Sequence, residues 1–473
     1  MGGGLIQIAI KGQMDTYTTI NPDISFYKFG YKKHSNYAME SVVLNFDTNP
    51  IINNNINNSY NCKISRYGDL LNNLYFCYTL PAVYSSDKYR FKWIKNIGSL
   101  IIKKITISVG NSVIDTLTGE WMNIWNELVL TKNDKENFNI MTQNVDSVIN
   151  PSIKDPIIGI RNNKFYKLFY PSSSFSSTIP SIESKKVIVP LNFWFCRNTA
   201  LALPLLQLQL SDIILNIQIE NSENLYQLWS EDLQLYISPL YYNDLYSTNI
   251  NIFNFIKSSF INPYIEANYI FLDTNERNSL LANPLADILV EQLEINNTIP
   301  TINSLSSIST TININTHKLV KEIIWTLKRD DYYYYNDITN YTSSIPENNE
   351  CNILNKALIN WNNNLVRVDE KESDFFHRIQ PYQYHTSIPK QGIYCYSFSI
   401  YPEKWFPTGE YNASTINTNL AIYVNTNYNN DIINNKLLKM NKNPYNFSYI
   451  VNVYVKTYNI FTINGGTGAM KYA

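Results

Sequence analysis

The stretch Lys104–Leu130, KITISVGNSVIDTLTGEWMNIWNELVL, contains three elements in a row. Residues 104–109 and 113–117 are rich in apolar residues that recur at alternate positions, which is typical of β-strands with one buried face. The intervening Gly110-Asn111-Ser112 favours a tight turn. Apolar residues then take the spacing of an amphipathic helix: Trp121, Ile124, Trp125 and Leu128. The stretch predicts a β-hairpin and then a helix over Gly119–Leu130, with Thr118 suited to the N-cap.

A second copy of this order lies 251 positions further on, counted from Asn111 to Asn362 (362 − 111). A strand over 356–361 is followed by an Asn-rich turn at 362–364, a return strand at 365–368 and a helix predicted over Glu372–Ile379. An apolar strand with large aromatic residues follows each helix, at 187–195 and at 393–400. Identity between the copies is low, so the order of elements carries the comparison. A repeat this long indicates duplicated domains and not a solenoid.

Composition favours sheets. Aromatic residues make up 14% of the 473 residues and charged residues only 16%, and Tyr and Phe favour half-buried strand surfaces. We therefore predict an all-β protein of two tandem eight-stranded jelly rolls, with short helices in the loops. The predicted division is an N-terminal arm at 1–24, a first jelly roll at 25–220, a connection at 221–262 and a second jelly roll at 263–473.

Two long segments, Lys132–Lys186 and Arg329–Cys351, lack a clear period and are rich in Asn, Pro, Ser or Tyr. Loops longer than about 12–15 residues in a compact domain are usually functional or disordered. We expect both segments at the ends of the sandwiches, where they form the outward face or the contacts between subunits.

The charge pattern disfavours direct binding of nucleic acid. Net charge is −1, and the basic pairs Lys32-Lys33 and Lys185-Lys186 are isolated. The five cysteines are odd in number and form no CxxC pair, which indicates buried thiols and neither a disulfide scaffold nor a zinc site. No signal peptide is expected, and polar residues interrupt the most apolar stretch, 200–219, which disfavours a membrane span. These features predict a soluble protein made in the cytosol.

Histidines are the first candidates for chemistry, and the chain has four: His34, His317, His377 and His385. His377 and His385 are eight residues apart, but no third ligand has the spacing of a zinc site. A metal pair is therefore the less favoured alternative, and we expect both rings to pack among nearby Tyr and Phe residues. GxSxG, HExxH and P-loop motifs are absent from the sequence. We predict no catalytic residue, cofactor-binding residue, metal ligand or cofactor, and no enzymatic activity.

Several acidic residues have structural interpretations. Glu120 and Glu127 lie seven apart on the predicted helix. Glycoside hydrolysis would need two carboxylates in an aromatic-lined cleft, so we expect helix capping and ion pairs instead. Asp273 and Glu276 are expected in a turn with Arg277 as their partner.

Two further motifs are expected to bind no phosphate and to carry no glycan. Gly465-Gly466-Thr467-Gly468 lacks the strand-to-helix context of a phosphate loop, and we expect a flexible tail there. Glycosylation triplets occur at Asn57, Asn296, Asn340, Asn412 and Asn446. Cytosolic synthesis would keep them from the usual transferase, so we do not expect glycans at these positions.

A set of longer motifs follows one order along the chain. It comprises NPDISFYK (21–28), ISRYGDL (64–70), GEWMNIWNEL (119–128), PLNFWFCR (190–197), YIFLDTNER (269–277), QPYQYHT (380–386) and NVYVKTYN (452–459). No single motif is decisive, but the ordered set resembles the major capsid proteins of nucleocytoplasmic large DNA viruses, on the phycodnavirus and mimivirus side. Lys32-Lys33 departs from the two arginines usual there, and the long loops are idiosyncratic.

The resemblance implies a structural capsid protein with a double jelly roll, whose homotrimer is a pseudo-hexameric capsomer of an icosahedral virion shell. The implied partners are copies of the chain, neighbouring capsomers, minor capsid and penton proteins and inner membrane-associated proteins, with no direct contact to nucleic acid. Assembly is expected in the host cytoplasm or virus factory. Two alternatives stay open: a transient, poxvirus-like assembly scaffold of the same fold, and a carbohydrate-binding β-sandwich with carboxylates about 5–10 Å apart in a cleft.

Overall fold

The computed structural model describes residues 3–48, 59–83, 91–149, 160–161, 164–165, 182–230, 232–247, 261–283, 285–296, 301–303, 309–345, 347–348, 351–362, 365–425 and 448–472. Two compact units are present, residues 1–37 and residues 38–473. The first unit contains helices α1 (Gly3–Ala9) and α2 (Gln13–Thr19). Among the described residues, no helix combines the length and the apolar character needed to cross a membrane.

The second unit contains two β-sandwiches. The strands up to residue 272 are β1 (Tyr37–Asn45), β2 (Ser59–Ile64), β3 (Leu70–Leu80), β4 (Phe91–Trp93), β5 (Ile102–Val109), β6 (Ser112–Leu117), β7 (Ile160–Arg161), β8 (Lys164–Phe165), β9 (Lys185–Pro190), β10 (Leu203–Pro204), β11 (Ile213–Ile219), β12 (Tyr226–Ser230), β13 (Leu235–Ile237) and β14 (Tyr264–Leu272). The later strands are β15 (Leu285–Asn296), β16 (Thr301–Asn303), β17 (Ser309–Ile314), β18 (Leu319–Arg329), β19 (Leu354–Trp361), β20 (Leu365–Glu372), β21 (Ile393–Ser397), β22 (Tyr411–Asn412), β23 (Thr418–Val424), β24 (Ser448–Asn464) and β25 (Thr467–Met470).

Short helices connect these strands. They are α3 (Ile97–Leu100), α4 (Gly119–Val129), α5 (Lys132–Met141), α6 (Asp146–Ile149), α7 (Trp194–Arg197), α8 (Pro239–Tyr246), α9 (Thr274–Ala282) and α10 (Gln380–Tyr384). A π-helix, Phe375–Ile379, directly precedes α10.

The two sandwiches have the same strand order. In the first, one sheet runs β1-β14-β3 and continues to β9 and β10, and the other runs β2-β11-β5-β6. In the second, the corresponding sheets run β15-β24-β18-β21 and β17-β23-β19-β20. Strands β11 and β23 alternate strictly between buried and half-buried residues, as expected where one face covers a core. The prediction of an all-β, duplicated jelly-roll protein is confirmed.

Strand β14 corrects the predicted boundary between the domains. It pairs antiparallel with β3, from Tyr264 opposite Cys77 to Ile270 opposite Leu70, so it completes a sheet of the first sandwich. The sequence division placed this strand in the second jelly roll, although its backbone groups find their partners in the first. Residues 221–262, predicted as a connection, contribute β12 and β13 to a small sheet with β4. The remaining boundaries stay predictions.

Helix α4 lies at the junction of the two sandwiches. The Thr118 hydroxyl accepts a hydrogen bond from the Trp121 backbone N–H at 3.2 Å, which confirms the predicted N-cap. Trp121 is fully buried, and its ring centroid lies 5.2 Å from that of Tyr454 on β24. The main hydrophobic core therefore continues from the first sandwich into the second, and Phe461 of β24 also belongs to it.

The helix predicted over Glu372–Ile379 takes a different form. Strand β20 extends to Glu372, and the helical backbone continues beyond Ile379 into α10, through Pro381. Proline cannot donate a backbone hydrogen bond and clashes with the preceding turn, and the segment before Pro381 departs from α-helical geometry. Apolar spacing alone predicted the helix but neither its end nor its π turn.

The two predicted loops differ from expectation in their described parts. Lys132–Met141 forms α5, and much of the rest of the first loop, residues 150–159, 162–163 and 166–181, lies outside the described residues. In the second loop, residues 335–336 and 340–345 are buried, residues 337–339 are half-buried, and Tyr335, Tyr341 and Ile345 belong to the core cluster that includes the first sandwich. The Asn336 side chain donates to the backbone oxygen of Tyr226 at 2.8 Å. This part of the second loop therefore joins the two sandwiches. The predicted outward face is wrong for these residues.

Candidate functional site at the junction of the two sandwiches

One buried carboxylate organises the charged groups at the junction. Glu291 on β15 is 6% exposed and is surrounded by three cationic side chains. They are Arg197 (Nη1 to Oε2, 2.7 Å), Lys456 (Nζ to Oε2, 3.2 Å) and Lys321. Strands β15 and β18 both flank β24, and the register shifts at Lys321, which brings these groups to one level of the sheet.

Helices α4 and α7 close this cluster from the first sandwich. The Lys456 ammonium lies 3.6 Å from the ring centroid of Trp125 on α4, and the Arg197 guanidinium lies 5.1 Å from the same ring. Burial lowers the pKa of Lys456 to about 7; Glu291 opposes this shift, and the cations Lys321 and Arg197 reinforce it. Burial alone would raise the pKa of Glu291, but the three cations lower it. The arrangement links the two sandwiches through charge and aromatic contact.

The two glutamates singled out on the first helix form ion pairs, as predicted. Glu120 accepts from Lys328 of β18 at 3.2 Å and from the Tyr341 hydroxyl at 3.1 Å. Glu127 pairs with Lys135 and lies 3.7 Å from Lys390. Both glutamates therefore tie α4 to its surroundings, with Glu120 and Glu127 each reaching residues of the second half of the chain.

The histidines expected to pack among aromatic residues divide into two cases. His377 is buried, with Nδ1 3.1 Å from the Ile393 oxygen and its ring 6.2 Å from that of Tyr394, as predicted. His385 lies between two carboxylates instead: Nε2 is 2.5 Å from Glu322 and Nδ1 is 3.2 Å from Glu403. Burial alone would lower the pKa of His385, but Glu322 raises it well above its usual value. The packing prediction was wrong for this ring.

Residues distant in sequence complete the environment of His385. The Glu322 carboxylate and the Cys395 thiol lie close to its ring, whereas His377 is not a member of this group. Sequence spacing around the two histidines missed both groups, because they come from β18 and β21. One signal was present: the charged pair Lys321-Glu322 interrupts the apolar run LVKEIIWTL at 319–327, which places charge in a buried strand.

Three sequence predictions outside the junction need correction or completion. Arg277 pairs with Asp69 at 3.1 Å, whereas Asp273 caps α9 by accepting from the Thr274 N–H at 2.7 Å. The predicted turn is thus a helix start, and the arginine has another partner. The predicted flexible tail is instead a hairpin of β24 and β25, because two glycines with positive φ, Gly465 and Gly466, allow a tight turn.

The glycosylation triplets lie in different environments. Asn340 is 5% exposed and donates to the Ser344 oxygen, so it cannot carry a glycan in this fold. Asn412 is exposed, and the Asn296 side chain donates to the Asn313 oxygen at 2.8 Å. Asn57 and Asn446 lie outside the described residues.

The return strands β6 and β20 hold equivalent positions but differ in exposure. Strand β6 contacts β15 and β25 of the second sandwich, and Gln292 donates to the Ile114 oxygen at 2.8 Å. Strand β20 is exposed along most of its length, with Leu365 and Val366 each 62% exposed. Strand β1, the counterpart of β15, is exposed as well, including Met39 and Val43. Among the described residues, β6 is thus covered by other strands of the same chain, whereas the equivalent strand β20 is accessible.

Comparison with known proteins places this architecture. A family model described as the major capsid protein N-terminus matches residues 25–273, and one described as large eukaryotic DNA virus major capsid protein matches residues 276–469. The major capsid protein of Phaeocystis pouchetii virus is 27% identical over 561 residues and covers 100% of both chains. Probable capsid protein 4 of Acanthamoeba polyphaga mimivirus is 27% identical over 561 residues, covering 100% of this chain and 99% of the relative.

Solved structures agree in fold. A quasi-atomic model of the PBCV-1 virus capsid matches with a TM-score of 0.68 at 21% identity, covering 95% of this chain and 100% of that chain. The Faustovirus major capsid protein matches with a TM-score of 0.67 at 11% identity, covering 96% and 94%. These relatives are structural capsid proteins and not enzymes. Because the two family models together match nearly the whole chain, this chain belongs to the family of major capsid proteins of large eukaryotic DNA viruses.

Proposed function

We propose that three copies of this chain close into a pseudo-hexameric capsomer, and that these capsomers tile an icosahedral shell. The observation that carries the proposal is the accessible strand β20. Its counterpart β6 is covered by β15 and β25 of the same chain, so the protein already contains one instance of the required contact.

The same contact, repeated between chains, produces a closed ring. In the repeated contact, β20 of one subunit meets β1 of the next, because β1 takes the place of β15 in the first sandwich. A head-to-tail contact closes into a ring when its rotation allows. Three chains with two similar sandwiches each give six similar corners, which suits a hexagonal tile.

The chemistry of the two strands fits such a contact. Leu365 and Val366 on β20 and Met39 and Val43 on β1 expose apolar surface, and edge strands present unpaired backbone groups. Stable interfaces bury more than about 1,000 Å² in total, and the proposed contact requires an interface of at least that size.

Further partners follow from the proposed role. The capsomer contacts neighbouring capsomers, minor capsid and penton proteins and inner membrane-associated proteins, and does not bind nucleic acid directly. Synthesis and assembly take place in the host cytoplasm or virus factory. Residues 1–24 act as an arm, and the boundary between the two jelly rolls falls between β14 and β15, at residues 273–284.

The oligomeric state tests the proposal. By light scattering after gel filtration, the wild-type chain should have three times the 54.9 kDa subunit mass, and electron microscopy should show six-cornered particles. Val366→Asp should yield monomers, because it places a charge in the contact. Met39→Asp should do the same from the other strand, whereas Ile140→Asp, at a residue 60% exposed on α5, should remain trimeric. A monomeric wild type, or a trimeric Val366→Asp variant, would contradict the proposal.

Purified particles separate the shell from the alternatives. A shell subunit is abundant in mature virions, whereas a transient scaffold is present only in immature ones. Quantitative mass spectrometry of both particle types measures the difference, and loss of the chain on maturation would contradict the shell function.

A further inference from the structure

The side chains around His385 form a compact group with three kinds of ligand atom. Glu322 lies on β18, Cys395 lies on the adjacent β21, and His385 follows α10. Their ligand atoms all lie within 4.8 Å of one another. The side chains of Glu322 and His385 are fully buried, and Cys395 is 1% exposed. A carboxylate, an imidazole and a thiol thus converge in one enclosed place.

One atom of this group has no partner. Within the described part of the chain, Oε2 of Glu322 is buried and accepts no hydrogen bond, although Oε1 meets His385. A buried carboxylate oxygen without a partner costs free energy, because it gives up its water. The geometry points to a positive ligand on the side of Oε2.

The His385 ring is already oriented from its other side. Glu403 faces Nδ1 at 3.2 Å and is itself fixed by Thr386, whose N–H donates to Oε1 at 2.7 Å. Nε2 therefore faces Glu322 and Cys395. Histidines that bind metals commonly donate their second ring N–H to a carboxylate, which fixes the tautomer and the ring direction.

We propose that Glu322, His385 and Cys395 bind one Zn²⁺ ion, with Glu403 as a positioning residue. Zn²⁺ accepts oxygen, nitrogen and sulfur ligands together, and this mixed set suits it better than Mg²⁺ or Ca²⁺, which prefer oxygen. Binding displaces the protons of the Cys395 thiol and of Nε2 of His385 into solvent. The two anionic ligands then neutralise the ion's charge.

The position of the site suggests a structural effect. Ser387, two residues after His385, donates its backbone N–H to the Leu128 oxygen at 2.9 Å, at the end of α4. An ion that fixes His385 to β18 and β21 also fixes this contact between the sandwiches. On its outer side, Glu403 borders a cavity of about 180 Å³ that is also lined by Trp194 and Lys404.

The metal content of the purified full chain tests the site without any variant. After removal of metal with a chelator, the wild type should take up about one Zn²⁺ per chain, measured by mass spectrometry of the metal. Titration with Co²⁺ should produce a thiolate-to-cobalt charge-transfer band in the near ultraviolet. A wild type that binds no Zn²⁺ and shows no such band overturns the proposal.

Variants locate the ion. Cys395→Ser and His385→Gln should lose the bound Zn²⁺ and the cobalt band. Cys77→Ser and His377→Gln are matched controls, because both residues are buried outside this group, and they should bind as the wild type does. Zn²⁺ bound equally well by Cys395→Ser would place the metal elsewhere and overturn the proposal.

A separate variant tests the positioning role of Glu403. This variant also tests the proposal if the ligand variants fail to fold. Glu403→Gln keeps all three ligands and should weaken Zn²⁺ binding about 10–100-fold, with the cobalt band retained at saturating metal. Unchanged affinity in this variant would exclude the assigned role for Glu403. The oligomeric state of the same preparations is a separate measurement, so failure of the metal site and failure of trimer formation remain distinguishable.

Discussion

Helix α4 and the helical segment 375–384 follow equivalent hairpins but have different chemistry. Helix α4 begins with a side-chain cap at Thr118 and buries Trp121 and Trp125. The second segment starts without a side-chain cap bond and passes through a π turn. The two meet at the junction, where the rings of Trp125 and His385 are 6.2 Å apart and nearly perpendicular. The same duplicated element is thus an apolar, buried helix at the junction in the first copy, which we call the wedge. In the second copy it is a segment that carries the polar side chain of His385.

The return strands show the same kind of difference between the two copies. Strand β6 is covered by the second sandwich, whereas β20 is exposed. Equal positions in two copies of a fold therefore need not have equal surroundings. Contact with the other copy decides which residues become core.

Trp121→Ala tests the wedge and should have the largest effect. Removal of this fully buried ring should lower the free energy of unfolding by about 3–5 kcal/mol, measured by denaturant titration.

Phe376→Ala, the buried aromatic of the second segment, should have a similar cost but should raise hydrogen exchange in the second sandwich alone. Trp121→Ala should raise exchange in both sandwiches, because its ring contacts Tyr454. Exchange confined to one sandwich would refute the wedge role. Tyr382→Ala, at an 80% exposed residue, should cost less than about 0.5 kcal/mol.

Glu291→Gln tests the charged cluster beside the wedge. Loss of this carboxylate leaves three cations near one another in a buried place, so we expect a cost of about 3 kcal/mol in the free energy of unfolding. The matched control is Glu294→Gln on the same strand, where the carboxylate pairs with Lys318 at 2.8 Å and is 27% exposed. That change should cost less than about 1 kcal/mol. Equal costs for the two variants would show that the cluster contributes no more than a surface pair.

Asp115→Asn sharpens the comparison of the return strands through pH. Burial raises the pKa of Asp115 on β6 to about 7, with Arg197 opposing the shift. Between pH 4 and 7 the folded protein holds a proton that the unfolded chain has released. The resulting stability is complete below about pH 4 and is lost as pH rises through 7. Relative to Asp115→Asn, the wild type should lose about 4 kcal/mol between pH 4 and pH 8, because each pH unit over which the folded state holds the extra proton contributes about 1.4 kcal/mol.

An exposed carboxylate gives the control for this pH dependence. Lys63 lowers the pKa of Asp212, so the wild type should gain stability relative to Asp212→Asn as pH rises from the acid range. Denaturant titrations across this pH range measure both differences. A wild type and an Asp115→Asn variant with parallel pH profiles would contradict the assignment.

The sequence predicted those features that depend on neighbouring residues. Alternation over 104–109 and 113–117 gave the hairpin, and the apolar spacing from Trp121 to Leu128 gave α4 with its cap. It could not show that β14 belongs to the first sandwich, because strand pairing is a contact between distant segments. For the same reason, Asp69 as the partner of Arg277 could not be inferred.

By itself, then, the sequence determined an all-β chain that contains the same unit twice, together with the ordered motifs of its family. Local side-chain periodicity and turn chemistry depend on residues that are adjacent in sequence. They can therefore be recognised without knowledge of the fold. The tertiary structure alone decided which edge is covered, where Tyr335 and Tyr341 are buried, and which groups surround His385. Those outcomes depend on residues more than sixty positions apart, such as Glu322 and His385, which only packing brings within hydrogen-bonding distance.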